Sequence, residues 1–591
     1  MAALSPPAPA TAGTAAAARA DELERLLGDP LDPANPHGSH ALLGADERRL
    51  PPEATEDLLT GIRFGAEFVP VELGGRLTAA DDLVRMLRPI LRRDVALGFG
   101  YGVTSLNGVS AVWAAGDRRQ RADTAERLLA GGRATILHRE LAHANAILRD
   151  GFTATPVGDG FRLGGLKDVV INADRADLLV VYARTAERPG PRSHSVLLLD
   201  TAELPPGGLR RLARVPTPGM RGCLFSGLEF TGCRVPGDTL VGQLGDGVSL
   251  ELRTFQTTRG VVLGTAVAGV DSVLRHAVHA ATEGRADGRP DRRWHRVLAG
   301  VFADVLACDS MAVAALRALT LLPDSSHLTA AVGKYAMPTL LHPDLEELAT
   351  VLGGRGYDRG PRYGGFQKLL RDLPVAGLGH AGTASCQAVL VPQLRGLARG
   401  AWFQGAEPPV ALYRPEDPLP GFDYRRIGLS GSEDVLAATL LGASGRLADR
   451  RGDADPHLAA LAELAESFAL ELRALKGPCA DLPAEGPGPE LLPAACVLAD
   501  RYVLIVSAAA CLGLWEAHRG GPGFLADPAW ALLALHRIGR RLGIPVPELP
   551  DGVTETVLAE VLRRFDAARS FDLYDSALAA PPMHATHSRE E

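Results

Sequence analysis

A few side chains of this sequence are of types that could do chemistry. His380 stands in the run Gly379-His380-Ala381-Gly382-Thr383. An imidazole there is suited to act as a base near neutral pH, and the run equally suits an ordinary loop histidine. His138 and His143 flank Glu140, so one loop face could hold a His–Glu pair, although a surface position is the expected one. Arg285 opens the stretch Arg-Ala-Asp-Gly-Arg-Pro-Asp-Arg-Arg. A guanidinium near backbone-permissive glycines suits a pyrophosphate, and the same arginine also reads as one charge of a solvated loop. Gly353-Gly354 either supplies such a backbone or only ends a helix. Cys386, close to Gly382-Thr383, reads as a small buried hydrophobe rather than a nucleophile. The seven cysteines include no C-x-x-C pair, so neither a zinc site nor a disulfide framework is expected, and the expected compartment is reducing.

The elements around these residues follow from hydrophobic period. Asp21–Leu27, Ala45–Phe64, Ala80–Leu91 and Arg118–Leu129 carry apolar residues at three-and-four spacing, with Thr78 as an N-cap ahead of Asp81 and Asp82. Short alternating runs at Phe152–Pro156, Gly160–Leu163, Leu178–Ala183, Ser195–Leu199 and Leu224–Phe230 predict a small β domain. Helical period returns in Val248–Ala281, Trp294–Leu321 and Ser326–Leu352, the core of a bundle. A Pro-rich break from Glu407 to Pro420 precedes further helices near Ser432–Arg451, His457–Lys476, Glu490–His518, Pro528–Leu542 and Thr554–Ala568. The expected organisation is a disordered tail (1–20), an N-terminal helical domain (21–150), a β domain (151–242), a helical bundle (243–400), a linker (401–420) and a C-terminal helical domain (421–591). The fold class is α+β, mostly α.

At 591 residues the chain exceeds one compact core. A net charge of −8 gives no reason to expect a nucleic-acid partner. The first twenty residues lack the charged start and apolar core of a signal peptide. No stretch reaches about 18 uninterrupted apolar residues, so no membrane span is expected. The expected location is the cytoplasm.

Three motifs then carry a resemblance. Phe68-Val69-Pro70-Val71-Glu72-Leu73-Gly74-Gly75 comes first, followed by Thr217-Pro218-Gly219-Met220-Arg221-Gly222 with Phe225, Val235-Pro236 and Leu240-Val241-Gly242. Last come Val351-Leu352-Gly353-Gly354-Arg355-Gly356-Tyr357 and Leu370-Arg371-Asp372. In this order, within helix–β–helix alternation, they resemble the acyl-CoA dehydrogenases over roughly residues 65–390. The resemblance implies FAD at a subunit interface and an acyl thioester, on CoA or an acyl carrier protein, held between flavin and helices. It implies a base that takes the α-proton while a hydride goes to the flavin. The C-terminal extension is similar to that of longer, typically dimeric members, so a homodimer is expected.

Read residue by residue, the resemblance weakens at the reacting centre. The family's Glu-Gly-Thr becomes Ala381-Gly382-Thr383, and a gapless count from Arg371 puts His380 at the base position. The alternative base position, one residue before an Arg, holds Thr258 ahead of Arg259, with Glu251 two turns earlier, about 10 Å along the helix. The Trp-Ile-Thr strand becomes Val169-Val170-Ile171, losing ring and hydroxyl. The expected catalytic residues are therefore His380 and Arg259. The expected FAD contacts are Arg285, Gly353, Gly354, Thr383 and Ile171. A flavin-dependent oxygenase or oxidase, and a non-redox partner subunit, stand as alternatives on the same fold.

Overall fold

The computed structural model describes residues 12–138, 140–142, 147–378, 382–429, 431–483 and 493–579. The chain opens with α1 (Ala12–Leu27), α2 (Ser39–Arg48), α3 (Glu53–Gly61), α4 (Ala80–Arg93), α5 (Val95–Leu97), α6 (Thr104–Ala115) and α7 (Arg118–Leu129). Helix α1 starts inside the segment expected to be a disordered tail, because Ala16, Ala20, Leu23 and Leu27 give it one buried stripe. The single helix expected over Ala45–Phe64 is two, divided at Pro51-Pro52, where proline cannot donate to a helix already under way. Thr78 does not cap α4. Ala79 holds that position, and the Thr78 hydroxyl donates to Asp82 instead at 2.7 Å.

Eight strands follow: β1 (Ala134–Leu137), β2 (Thr153–Val157), β3 (Gly160–Ile171), β4 (Leu178–Arg184), β5 (His194–Asp200), β6 (Leu209–Arg211), β7 (Phe225–Pro236) and β8 (Leu240–Val241). They form one sheet in the order β6-β7-β3-β2-β4-β5-β8, with β1 parallel to β4. Strand β1 lies ahead of the boundary expected at 151 and pairs with the inner strand β4, with His138 buried just past its end. Its four residues are all buried, so no alternation marks it as a strand.

The bundle is α8 (Gly247–Thr282), α9 (Arg292–Leu321), α10 (Ser326–Leu352), α11 (Pro361–Asp372), α12 (Val375–Leu378) and α13 (Thr383–Arg399). Asp372 accepts from Met220 N at 2.7 Å and from Lys368 at 2.9 Å, while Arg371 donates to Asp46 at 2.9 Å. The Arg-Asp pair therefore ties the β-domain exit and α2 to α11. A Cβ on Gly219 would stand 2.8 Å from Asp372, so only glycine allows that approach.

The last region is α14 (Val435–Leu447), α15 (Pro456–Ala480), α16 (Pro493–His518), α17 (Pro528–Leu542) and α18 (Val553–Asp566). It shares one continuous apolar core with the bundle and the N-terminal helices, whereas the sheet has a second core around Phe152, Leu163, Val181 and Phe230. The connecting segment is docked rather than loose. Arg253 of α8 donates to Ile427 O and Arg425 O, each at 2.8 Å, and Tyr424 is buried beside Ser110 of α6 and Thr257 of α8.

By length and average composition, four helical segments (Val95–Ala115, α8, α9 and α16) are long and apolar enough to cross a membrane, although no uninterrupted apolar run suggested one. Their apolar windows are 72–94% buried inside the protein, so packing in the bundle accounts for the composition.

Candidate functional site

Arg259 sits in the middle of α8, enclosed by the bundle at 2% exposure. Its Nη2 donates to Ser385 Oγ, in the first turn of α13, at 3.4 Å, and its Nε is buried without a hydrogen-bond partner. The neighbouring Thr258 hydroxyl donates to Asn107 of α6 at 2.8 Å. Cys386, also in that first turn, is buried, and burial pushes its thiol up, which suits packing rather than nucleophilic attack.

Three other arginines are buried as deeply, and each has a carboxylate. Arg88 lies 3.0 Å from Asp309 and from Asp572, Arg317 2.7 Å from Asp81, and Arg564 2.7 Å from Glu560. Among the described residues Arg259 has none. A buried charge left uncompensated costs about 3–5 kcal/mol, so this arrangement needs a reason.

Thr383 is the first residue of α13, half-buried, on a helix whose N-cap, Gly382, offers no side-chain hydrogen bond. The Arg259–Ser385 contact brings Arg259 and Thr383 to one place. His380 lies outside the described residues, as does His143.

Ile171 ends β3, half-buried, paired with Phe225 of β7. Its carbonyl accepts the Thr135 hydroxyl at 2.7 Å, so the position offers a ligand an apolar side chain only. A bulge between Lys167 and Val170 interrupts β3 just before it. Lys167 at that bulge is fully buried on Asp150 and the His138 carbonyl, and burial lowers its pKa. The Glu140 carboxylate accepts from Gly151 N at 3.0 Å and Phe152 N at 2.8 Å, and therefore braces the loop.

His138 is not on the surface as expected. It is buried, its ring packs 5.2 Å from both Tyr182 and Phe255, and its Nε2 lies 3.1 Å from Glu251 Oε1. Glu251, read from its spacing as a poor substitute for the missing base, is turned toward the sheet. His194 joins the same buried cluster. Its Nδ1 is 2.8 Å from Ser193 Oγ, and burial depresses its pKa to about 4. No local spacing marks the His138–Glu251 pair, because its members lie on different elements far apart in sequence.

The remaining predicted residues form a separate corner. Gly353 (φ +54°) and Gly354 follow α10, and a Cβ on either would meet nothing within 4 Å. Gly353 also borders a cavity of about 620 Å³ with Tyr357, Phe366 and Arg371. Arg285 follows α8, partly exposed, 3.7 Å from Asp287 and 3.6 Å from Asp291. Glu283 joins the two turns through Arg355 at 3.1 Å. Arg285 and Gly353-Gly354 thus share one end of the bundle. From Arg259 to the end of α8 at Thr282 is about 35 Å at ~1.5 Å per residue, so one copy of the chain separates this corner from Arg259. Among the described residues no cluster of metal ligands occurs.

Residues 245–391 match the family described as acyl-CoA dehydrogenase, C-terminal domain. The chain is 26% identical over 330 residues to mitochondrial isovaleryl-CoA dehydrogenase of Bos taurus, covering 54% of this chain and 75% of that protein. It is 26% identical over 341 residues to "Probable acyl-CoA dehydrogenase FadE10" of Mycobacterium tuberculosis (strain ATCC 25618 / H37Rv), covering 55% of this chain but only about half (52%) of that relative. The solved structure of a glutaryl-coenzyme A dehydrogenase glutaryl-CoA complex superposes with a TM-score of 0.58 at 19% identity, covering 66% of this chain and 97% of that one.

Proposed function

We propose that this chain, whose residues 245–391 match the acyl-CoA dehydrogenase C-terminal domain, is an FAD-dependent oxidoreductase of that family acting on an acyl thioester, carried by CoA or by a carrier protein, and working as a cytoplasmic homodimer. The observation that carries the reading is the Arg259–Ser385 contact, which joins the middle of α8 to the head of α13 in a buried setting. Charge acts strongly there because water does not screen it.

The residues fit the cofactor at its phosphate end. Gly353 and Gly354 leave their backbone open, and Arg285 is held only loosely by two aspartates. At the ring end Ile171 supplies an apolar shelf without a side-chain donor. Bound FAD supplies a two-electron acceptor. Thr383, at the head of α13, would help to hold it, and Arg259 would orient the acyl group. We assign removal of the α-proton to His380, a few residues ahead of Thr383 in sequence, because imidazole holds and releases a proton near neutral pH.

The test is whether purified protein, incubated with FAD, retains flavin absorbance and is bleached without oxygen by acyl thioesters. A colourless protein that takes up no FAD overturns the reading. The donor-free shelf at Ile171 favours one second reading, a flavin-dependent oxidase or oxygenase. Oxygen consumption by the reduced protein, with no thioester-dependent bleaching, selects it.

A further inference from the structure

We propose that Glu283 is a positioning residue of the phosphate corner: its one carboxylate holds the Arg285 turn, the Gly353–Tyr357 turn and the head of α11 in a single register, so that a guanidinium and an open backbone meet the same pyrophosphate. The inference rests on the FAD reading and adds to it the residue that builds the corner.

Glu283 stands at the end of α8, where its backbone N–H donates to His279 O at 2.9 Å, and Arg285 follows two positions later. Its side chain meets donors from two other elements. Oε2 accepts from the Tyr363 hydroxyl at 2.8 Å and lies 3.1 Å from Arg355 Nε, while Oε1 lies 2.7 Å from Arg362 Nη1. Both oxygens are therefore engaged, by the turn after α10 and by the first residues of α11. Partial burial works to raise the Glu283 pKa, but the Tyr363 hydrogen bond and the Arg362 and Arg355 charges outweigh it and hold the carboxyl below its usual range. His279, one turn back on α8, is depressed to about 4 by burial and stays neutral at pH 7, so it does not compete for the carboxylate.

The Gly353–Tyr357 turn has little else to fix its place. None of its five residues is buried, and Tyr357 is 85% exposed, so apolar packing does not set its position. Among the described residues two side-chain contacts tie it down: Gln367 donates to the Gly356 carbonyl, and Arg355 pairs with Glu283. The first joins the turn to α11, and the second joins it to α8 and so to Arg285. A turn cut loose from α8 keeps its glycines but must be ordered again when a ligand arrives, and that ordering costs affinity. Charge alone argues the other way, because a carboxylate beside a phosphate subtracts from the local positive potential. The place of Glu283 between two guanidiniums is thus explained by geometry, and the sign of its effect on binding separates the two roles.

The experiment measures ADP and FAD affinity, by calorimetry and fluorescence titration, on the full chain and on Glu283→Gln, Arg355→Gln and the double variant. Melting temperature and circular dichroism are read on the same samples. Glu283→Gln is expected to weaken both nucleotides by about tenfold. Its melting temperature without ligand should move by about 2 °C or less, because both ion pairs are partly exposed. The double variant should bind no more weakly than the weaker single one, since either change alone already frees the turn. Glu283→Asp keeps the charge and recovers part of the affinity. Unchanged or tighter binding in Glu283→Gln overturns the proposal, since the carboxylate then does nothing for the corner beyond subtracting charge. Additive losses in the double variant overturn it too, by making Arg355 a phosphate contact independent of Glu283. So does a Glu283→Gln protein that melts well below the parent while its folded fraction binds with parental affinity, which is a structural role only. FAD bound equally by the parent and Glu283→Gln sinks this inference alone. ADP binding that depends on Glu283, without any uptake of FAD, sinks only the FAD reading, and a parent that binds neither nucleotide sinks both.

Discussion

Arg537 of α17 donates from Nε to Asp304 of α9 at 2.7 Å and from Nη2 to Asp344 of α10 at 2.9 Å, so one guanidinium from the last region neutralises two buried carboxylates of the bundle. Arg541, one turn on, reaches Asp304 at 2.6 Å. Burial and the proximity of Asp304 push Asp344 well above the usual carboxylate range, which shows how much these acids depend on the arginines. Arg537→Ala is expected to lower stability by about 3–5 kcal/mol, because it leaves Arg541 as the one remaining guanidinium on two buried acids. A denaturant melt checks this. A shift under about 1 kcal/mol places the pair with weak surface bridges instead.

Stability should also fall on mild acidification. His194 has a folded pKa of about 4 because burial disfavours its charged form, against roughly 6.5 in an unfolded chain. The folded state therefore binds fewer protons than the unfolded one between these values. The contribution is fully present above about pH 6.5 and is lost as pH falls toward 4, on the order of 1–3 kcal/mol. His279, depressed to about 4 by burial as well, adds to the same slope. Melting curves across that window should flatten in a His194→Gln variant. An unchanged slope in the variant refutes the assignment to His194.

Ile171→Thr places a hydroxyl at the end of β3, where a half-exposed side chain now offers only methyl and methylene groups. Threonine keeps the β-branched shape that suits a strand. A hydrogen bond gained there is worth about 0.5–1.5 kcal/mol, so FAD affinity should rise by a few-fold, up to about tenfold. Fluorescence titration with FAD reads it directly. Weaker binding in the variant means that the shelf faces something other than the flavin ring.

Much of the fold was legible from period alone. The bundle helices α8, α9 and α10 were read to within two residues, since long apolar helices end at unmistakable polar or Gly-rich breaks such as Gly353-Gly354. The π-helical turn at Gly98–Val103 and the helix around it escaped notice, because Gly-Phe-Gly-Tyr-Gly looks like a loop. Strand β1 escaped because all four of its residues are buried. The candidate site was legible only in part. Arg259 and Thr383 were named for separate roles, and nothing in their spacing told that Ser385 would bring them together. That Arg259 has no carboxylate beside it among the described residues could not be read from sequence at all, since an ion pair is a property of three-dimensional neighbours. His138 was placed on the surface because a histidine beside an acidic residue usually is, yet α8 crosses above it and supplies Glu251.

The last prediction concerns two copies of the chain. Arg285 and Gly353-Gly354 lie at the far end of α8, about 35 Å from Arg259 by helix rise, and Thr383 lies beside Arg259 rather than beside them. One dinucleotide served by both groups therefore needs the phosphate corner of one copy facing the ring shelf of another, as a two-fold dimer provides. Arg285→Glu should weaken FAD by removing the phosphate charge, and Ile171→Arg should block the ring shelf. Each variant alone loses both sites of its dimer. Co-expressed, they form mixed dimers in which one site combines both altered residues and the other combines both native ones. With random pairing about half the dimers are mixed, so about a quarter of all sites should regain FAD. Flavin content of the co-expressed protein, set against each variant alone, measures this. Recovery near zero, with both variants folded by circular dichroism, means that each site is built within one chain and that the two groups do not serve a common ligand.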